Sequence, residues 1–260
     1  MRQFNTLLKK EFLDCLRSFK LLWIPLVFIS IGVSDPLTNY YMKDILAAVG
    51  NMPEGFEMMF PELKPADLLA ASTGQFQLVG LIVLVAVFVG SISRERQNGT
   101  ATLLYVRPIS ATAIFMSKWV AASIVGILSA LLGYAGSMYY ISILYGTVDA
   151  TSFIAMICTY FIWILFVMAI TVALSAAFRT SVALALAIFV LPVGLVIDSI
   201  IGGFWYSTPW KLANYGVGFI AETVDMNHYW KALIITLVLT VIFIIIGIFA
   251  TKRNRQLTKV

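Results

Sequence analysis

The amino-acid sequence predicts an all-α membrane protein with six transmembrane helices, and two observations carry this prediction. Of the 260 residues, 60% are apolar and 12% are charged, against roughly 45–50% and about 25% in typical soluble domains. The apolar residues form six long runs, over 21–41, 77–93, 119–145, 153–178, 182–201 and 230–250. Each run can cross a bilayer as a helix, which takes about 20 residues, and is too uniformly apolar for a barrel strand. A soluble enzyme, a disordered chain and a fibrous protein are excluded.

The distribution of charge predicts the orientation of these spans. Most of the 18 Lys and Arg residues fall in the N-terminus, the 94–118 loop, the turn at Arg179 and the C-terminus. Basic residues mark cytoplasmic loops, and an even number of spans returns the chain to the side from which it started. We therefore expect a multi-pass protein of the cell membrane with both termini in the cytoplasm.

Few residues are available for chemistry. Two cysteines, Cys15 and Cys158, and one histidine, His228, cannot build a disulfide framework or a zinc site. No arrangement for proteolysis or other catalysis is present, and the scattered basic residues do not indicate nucleic-acid binding. We predict neither a metal site nor a catalytic residue.

Two acidic residues lie within or beside the apolar runs. A carboxylate in a membrane is costly, so Asp35 and Asp198 are candidates for a transport pathway. Both lie toward the outer ends of their spans, where an interfacial or structural role is the alternative. Pro36 is predicted to kink or end the first helix, or else to form with Asp35 a break that lines a cavity.

Residues 1–19 are predicted to form an amphipathic interfacial helix. Apolar residues recur at helical spacing, whereas Lys9, Lys10, Asp14 and Arg17 cover the other side. Glu11 departs from the pattern because it falls inside the apolar arc. The helix either anchors the chain at the cytoplasmic interface or docks a cytoplasmic partner, with Glu11 free to pair with that partner.

The loop over 94–118 is predicted to contain a short cytoplasmic helix. Gly99 is a turn residue, Thr100–Arg107 can form two helical turns, and Pro108 stops them. Ser110 can then cap the third span. Leu103 and Leu104 share one side of this short helix. The alternative is an ordinary cytoplasmic loop.

Three further features have open interpretations. The polar stretch over 42–74 is predicted to be an outer surface loop, with packing against the bundle as the alternative. Residues 202–228 fit a re-entrant outer hairpin or an interfacial loop held by aromatic residues. Gly126 and Gly133 lie on ridges of small residues in the third span, which favour close helix packing, either within the chain or between subunits.

Two stretches of this sequence resemble the permeases of ABC-2 type transporters. The first is in the opening helix: Leu8-Lys9-Lys10-Glu11-Phe12 followed by Arg17-Ser18. The second surrounds the short helix: Arg94-Glu95-Arg96, Gly99-Thr100, Leu103-Leu104, Pro108-Ile109-Ser110 and Lys118. The six-span layout is also similar to that family, so the resemblance covers essentially the whole chain.

The resemblance implies a second permease, identical or related, and two ATP-binding cassette subunits. It also implies residues that receive the motion of the ATPase: Glu95, Arg96, Gly99, Thr100, Leu103, Leu104, Arg107 and Pro108. The opening helix would dock against the ATPase through Lys9, Lys10, Glu11 and Arg17. This chain has no Gly-x-x-x-x-Gly-Lys-Ser/Thr phosphate loop. We therefore expect no cofactor on this chain, and ATP with Mg²⁺ on the partner.

We predict that the chain is the permease subunit of an ABC exporter for an amphipathic substrate such as a peptide, a drug or a lipid-like molecule. One alternative is an ion-coupled secondary transporter, for which Asp198 would be indispensable. Another is a non-transporting immunity or sensor subunit bound to an ATPase.

Overall fold

The computed structural model describes residues 2–49, 63–100 and 109–257. Within these ranges the chain is helical, and six helical segments are long and apolar enough to cross a membrane, which confirms the predicted fold class. In chain order the α-helices are α1 (Arg2–Arg17), α2 (Lys20–Tyr40), α3 (Met42–Val49), α4 (Pro65–Gln75), α5 (Leu81–Phe88), α6 (Ser93–Gln97), α7 (Ala111–Leu144), α8 (Ala150–Ala177), α9 (Thr180–Ile201), α10 (Leu212–Ala221) and α11 (Met226–Leu257).

The second span begins at Pro65, and the predicted start at residue 77 is wrong. A π-helical turn over Phe76–Gly80 joins α4 to α5, and the span continues to Gln97. Proline at a first helical position is favourable because its missing N–H would have no intrahelical partner there. The Asp67 carboxylate accepts a hydrogen bond from the Lys64 backbone N–H at 3.0 Å, which completes the helix start.

Polar residues obscured this start in the sequence. The Ser72 hydroxyl lies 3.1 Å from that of Ser137, and the Thr73 hydroxyl lies 2.9 Å from that of Tyr134. These groups are buried, and each has its partner within the helix bundle, so they satisfy the rule that polar groups in hydrocarbon need internal partners. The final part of the predicted outer loop over 42–74 is therefore a packed helix.

The first span continues through Pro36 to Tyr40. The predictions that Pro36 ends this helix, or that it marks a break with Asp35, are therefore wrong. Proline leaves one carbonyl of the preceding turn without its helical partner, and packing against neighbouring helices makes this tolerable in membranes. Pro36 is buried, and its own carbonyl accepts a hydrogen bond from the Tyr145 hydroxyl at 3.2 Å.

Helices α2 and α7 cross at small residues. A Cβ atom added to Gly133 would lie 2.9 Å from the Phe28 carbonyl oxygen and 2.8 Å from the Phe76 ring. The ring of Phe76 packs edge-on against Tyr134 at 4.9 Å between centroids. Gly126, about two helical turns before Gly133, faces Ile164 of α8. Both small residues thus lie at contacts between helices of this chain.

Helices α7 and α8 form the centre of the bundle, and α9 lies at its edge with most of its surface exposed. After α9, residues 209–211 form a 3₁₀ turn that leads into α10, which packs against α8. The Trp210 ring lies against Gly194, and a Cβ atom at position 194 would collide with this ring. The Trp210 indole N–H donates to the Leu191 carbonyl at 3.0 Å. These contacts hold the 202–228 segment against the bundle.

A charge cluster at the base of the loop between spans two and three

Helix α1 lies against the first turns of α7. Leu7 of α1 packs with Ala113 and Ile114 of α7, and Cys15 is buried in the main core. Burial raises the pKa of the Cys15 thiol, because the thiolate loses hydration. We call this end of the bundle, formed by α1, α6, the start of α7 and the end of α8, the basic end.

Four charged side chains meet at the basic end, and we call them the charge cluster: Lys10, Glu11, Glu95 and Lys118. The Lys118 ammonium lies 3.0 Å from a carboxylate oxygen of Glu11 and 3.0 Å from one of Glu95. The Lys10 ammonium donates to the same two carboxylates. The cluster therefore joins α1, α6 and α7, whose residues are far apart in the sequence.

Burial makes this pairing obligatory. The Lys118 side chain is only 3% exposed and that of Glu11 is 13% exposed, and an unpaired charge in such a place is very costly. For Lys10, burial acts to lower the pKa, but the hydrogen bond to Glu95 and the charges of Glu11 and Glu95 outweigh it and raise the pKa above its ordinary value. The cluster holds two cations and two anions and is formally neutral.

The charge cluster explains why Glu11 interrupts the apolar arc of α1. Its carboxylate turns toward α7 and pairs with Lys118, 107 residues further along the chain. The hypothesis that Glu11 is free to pair with a cytoplasmic partner is therefore wrong. The departure from amphipathic pattern was a signal of an internal ion pair, although the pattern itself could not identify the partner.

The opposite face of α6 contacts α8. The Arg96 guanidinium donates to the Ala176 carbonyl at 3.0 Å and to the Phe178 carbonyl. Carbonyls at a helix C-terminus have no intrahelical partner and carry partial negative charge, so a cation is favourable there. The Ser175 hydroxyl of α8 also accepts hydrogen bonds from the backbone N–H groups of Ile92 and Ser93, at 3.0 and 3.1 Å.

The described residues on both sides of the gap at 101–108 lie at the basic end. Gly99 has a φ of +73°, a conformation that glycine adopts readily. The Thr100 hydroxyl donates to the Glu95 carbonyl at 3.1 Å. Ser110 caps α7 by accepting from the Ala113 backbone N–H at 3.1 Å. The predicted residues between these points lie outside the described residues: Leu103, Leu104, Arg107 and Pro108.

The remaining predicted residues are separate from the charge cluster. Lys9 and Arg17 are exposed on α1. Asp198 accepts a hydrogen bond from Thr208 and lies 3.6 Å from the Lys211 ammonium.

Asp35 accepts a hydrogen bond from the Gln75 side chain of α4. Within the ranges that the structure describes, no group of three or more His, Cys, Asp or Glu side chains is placed to hold a metal ion.

Sequence reasoning missed two contributors to this site. Lys118 was part of the family resemblance, but its role as the buried centre of the charge cluster was not predicted. Ser175 was not singled out at all, because a serine in an apolar span gives no local signal of its partners. It adds two hydrogen bonds to the contact between α6 and α8.

Comparison with known proteins agrees with the helical architecture. Residues 5–255 match the model of a family described as ABC-2 family transporter protein. A relative in Bacillus subtilis (strain 168), the uncharacterized transmembrane protein YxlG, is 32% identical over 180 residues, which cover 69% of this chain and 70% of the relative. The family match spans all six membrane segments and the charge cluster. The chain is a multi-pass membrane protein that belongs to the ABC-2 family of transporter proteins.

Proposed function

We propose that this chain is the permease subunit of an ABC exporter, driven by separate ATP-binding cassette subunits that act on the segment between α6 and α7. One observation carries the proposal. Both flanks of this segment are fixed to the bundle: α6 through the charge cluster and the Arg96 contacts, and α7 through the Ser110 cap. A force applied to the segment would therefore reach several spans.

The ATPase contact would involve the outermost part of this segment. Gly99 and Thr100 are exposed at its start. Leu103, Leu104, Arg107 and Pro108 would complete the contact. On α1, Lys9 and Arg17 are exposed and would face the ATPase. Lys10, Glu11 and Glu95 contact one another and Lys118, so their part would be to position these elements.

The basic end would face the cytoplasm. The excess of Lys and Arg in its loops supports this orientation, which puts both termini and the ATPase contact on the cytoplasmic side. ATP and Mg²⁺ would bind to two ATP-binding cassette subunits, and this chain would hold no cofactor.

The transport step would be a rigid-body movement. Closure of the ATPase pair around ATP would displace the α6–α7 segment, and α6 would pass the displacement to the helices it contacts. Such a step needs two stable arrangements of packed helices rather than continuous deformation. The pathway would open between this chain and a second permease, identical or related.

The exposed face of α9 is available for contact with a second permease. This helix exposes large apolar side chains along its length, among them Val182, Phe189 and Ile200. Either membrane lipid or another permease would cover them.

An amphipathic substrate is supported by the surfaces that this chain presents. An apolar cavity of about 450 Å³ lies between α9, α11 and the segment over 205–210. Outward movement from the cytoplasm is the direction that family membership favours. The substrate would therefore be a peptide, a drug or a lipid-like molecule.

Co-purification with a double variant tests the ATPase contact. We expect the wild-type chain, solubilised from its native membrane in mild detergent, to elute with an ATP-hydrolysing chain. The Leu103→Asp, Leu104→Asp variant should reach the membrane and elute without that chain. The matched control adds two carboxylates at the opposite end, Thr147→Asp with Ala150→Asp, both at exposed positions, and should retain the partner.

Unchanged co-elution of an ATPase with the Leu103→Asp, Leu104→Asp variant would overturn the placement of the contact. Co-elution and ATP hydrolysis without movement of any substrate in vesicles would instead favour the immunity or sensor alternative.

A further inference from the structure

We propose that α6 is a two-armed anchor, in which Glu95 fixes the α6–α7 segment to α1 and α7, and Arg96 fixes it independently to α8. These are positioning residues. The assignment rests on the proposed function only for the source of the force that the arms transmit. The attachment itself is a property of this chain and can be measured without an ATPase.

The first arm is electrostatic. Glu95 receives both lysines of the charge cluster, one from α1 and one from α7. Without its charge, Lys118 would have only the carboxylate of Glu11, which Lys10 also contacts, and Lys10 would otherwise keep only the more distant and half-exposed Asp14. The buried part of the cluster would then carry an excess positive charge. The geometry that satisfies both lysines is therefore the one in which α1, α6 and α7 stay together.

The second arm uses hydrogen bonds to the end of a helix. Arg96 reaches the carbonyls of Ala176 and Phe178, where α8 ends. Neighbouring contacts support it: Ser93 and Gln97 of α6 each lie within hydrogen-bonding distance of the Thr180 hydroxyl, at 2.7 and 2.8 Å. This arm therefore joins α6 to α8 and to the start of α9.

The two arms are separate because adjacent residues on a helix point in different directions. At 3.6 residues per turn, successive side chains are rotated by about 100°. Glu95 and Arg96 therefore reach neighbours on different sides of the same short helix. The side chains of Glu95 and Arg96, which are both described, form no ion pair or hydrogen bond with each other. Loss of one arm should therefore leave the other intact.

Distances between spin labels on the full-length chain test this independence. Labels on Cys replacing Asn5 and Asn98 report the α1–α6 distance, and labels on Cys replacing Asn98 and Arg179 report the distance between α6 and the end of α8. All three positions are exposed. The background carries Cys158→Ser, since Cys158 is exposed, and retains the buried Cys15. Pulsed EPR in lipid nanodiscs gives the distribution of each distance.

We expect opposite patterns from two neighbouring substitutions. Glu95→Gln should broaden or shift the Asn5–Asn98 distribution and leave the Asn98–Arg179 distribution unchanged. Arg96→Gln should do the reverse. Asp14→Asn is the matched control for charge, because this carboxylate is about half exposed and lies 3.8 Å from Lys10; it should change neither distance.

Two results would overturn the proposal: neither distribution changes in the variants, or either variant alters both distances. If Glu95→Gln does not fold, the variant Glu95→Gln, Lys118→Gln keeps the buried cluster neutral, through Lys10 and Glu11, and carries the same expectation. Failure of the proposed function can be told apart from failure of this proposal. If no ATPase co-purifies with the chain, the proposed function fails, but the expected label distances do not change.

Discussion

The two ends of the bundle both contain acid–base contacts, but these contacts join different things. At the basic end the charge cluster joins α1, α6 and α7, across as many as 107 residues of chain. At the opposite end Asp198 and Lys211 lie 3.6 Å apart and are separated by 13 residues. The first contact determines how distant segments assemble, whereas the second fixes one local turn.

Burial strengthens this difference. Lys118 is almost completely enclosed, and Lys211 remains 19% exposed. Water can partly replace the partner of Lys211, but it cannot do so for Lys118. The comparison teaches that the basic end depends on its charges for assembly, and the opposite end depends more on packing around Trp210.

The largest effect should follow from Lys118→Met. This change leaves Glu11 and Glu95 with Lys10 as their only clustered cation, and loss of one partner in a buried pair costs about 3–5 kcal/mol. Titration of the purified chain with a denaturing detergent, followed by circular dichroism, measures the free energy of unfolding. A loss below about 1 kcal/mol would show that the charge cluster does not determine assembly.

A substitution in the middle of the bundle should have an intermediate effect. Gly133→Ala puts a methyl group against the Phe28 backbone and the Phe76 ring, and overpacking costs about 1–3 kcal/mol. Gly74→Ala is the matched control, because no atom beyond the adjacent backbone of its own helix lies within 4 Å of the added carbon. Since alanine favours a helix over glycine by up to about 1 kcal/mol, this control should stabilise the chain. The same sign for both would contradict the proposed α2–α7 contact.

Asp198→Asn should have a smaller effect at the opposite end. Asparagine can still accept the hydrogen bond from Thr208, so we expect a loss of about 1 kcal/mol in the same unfolding titration. Transport in vesicles should persist. Complete loss of transport in a stable Asp198→Asn protein would favour the ion-coupled alternative and would reverse the ranking of the two ends.

Lys9→Met should have the smallest effect. Lys9 is exposed on α1 beside the charge cluster, and surface substitutions usually change stability by less than about 0.5 kcal/mol. The comparison with Lys118→Met separates burial from charge, since both variants remove one lysine from the basic end. Equal losses would mean that net charge, rather than the pairing of Lys118, stabilises this end.

The sequence predicted the six spans because hydrocarbon imposes a simple requirement on long apolar runs. It failed at the start of the second span because Ser72 and Thr73 are polar, and their partners Ser137 and Tyr134 lie more than 60 residues away. It located Glu95 and Arg96 near the site but could not show their contacts. Glu11 signalled an internal partner, and only the tertiary structure identifies Lys118.

Photo-crosslinking in living cells tests the central claim most directly, that the basic end faces a separate ATPase. A photoreactive amino acid replaces Thr100 at the basic end or, as the control, Thr151 at the opposite end. Both positions are exposed. The account predicts an adduct with an ATP-binding chain from position 100 and none from position 151. No such adduct from position 100, or one from position 151, would contradict the account.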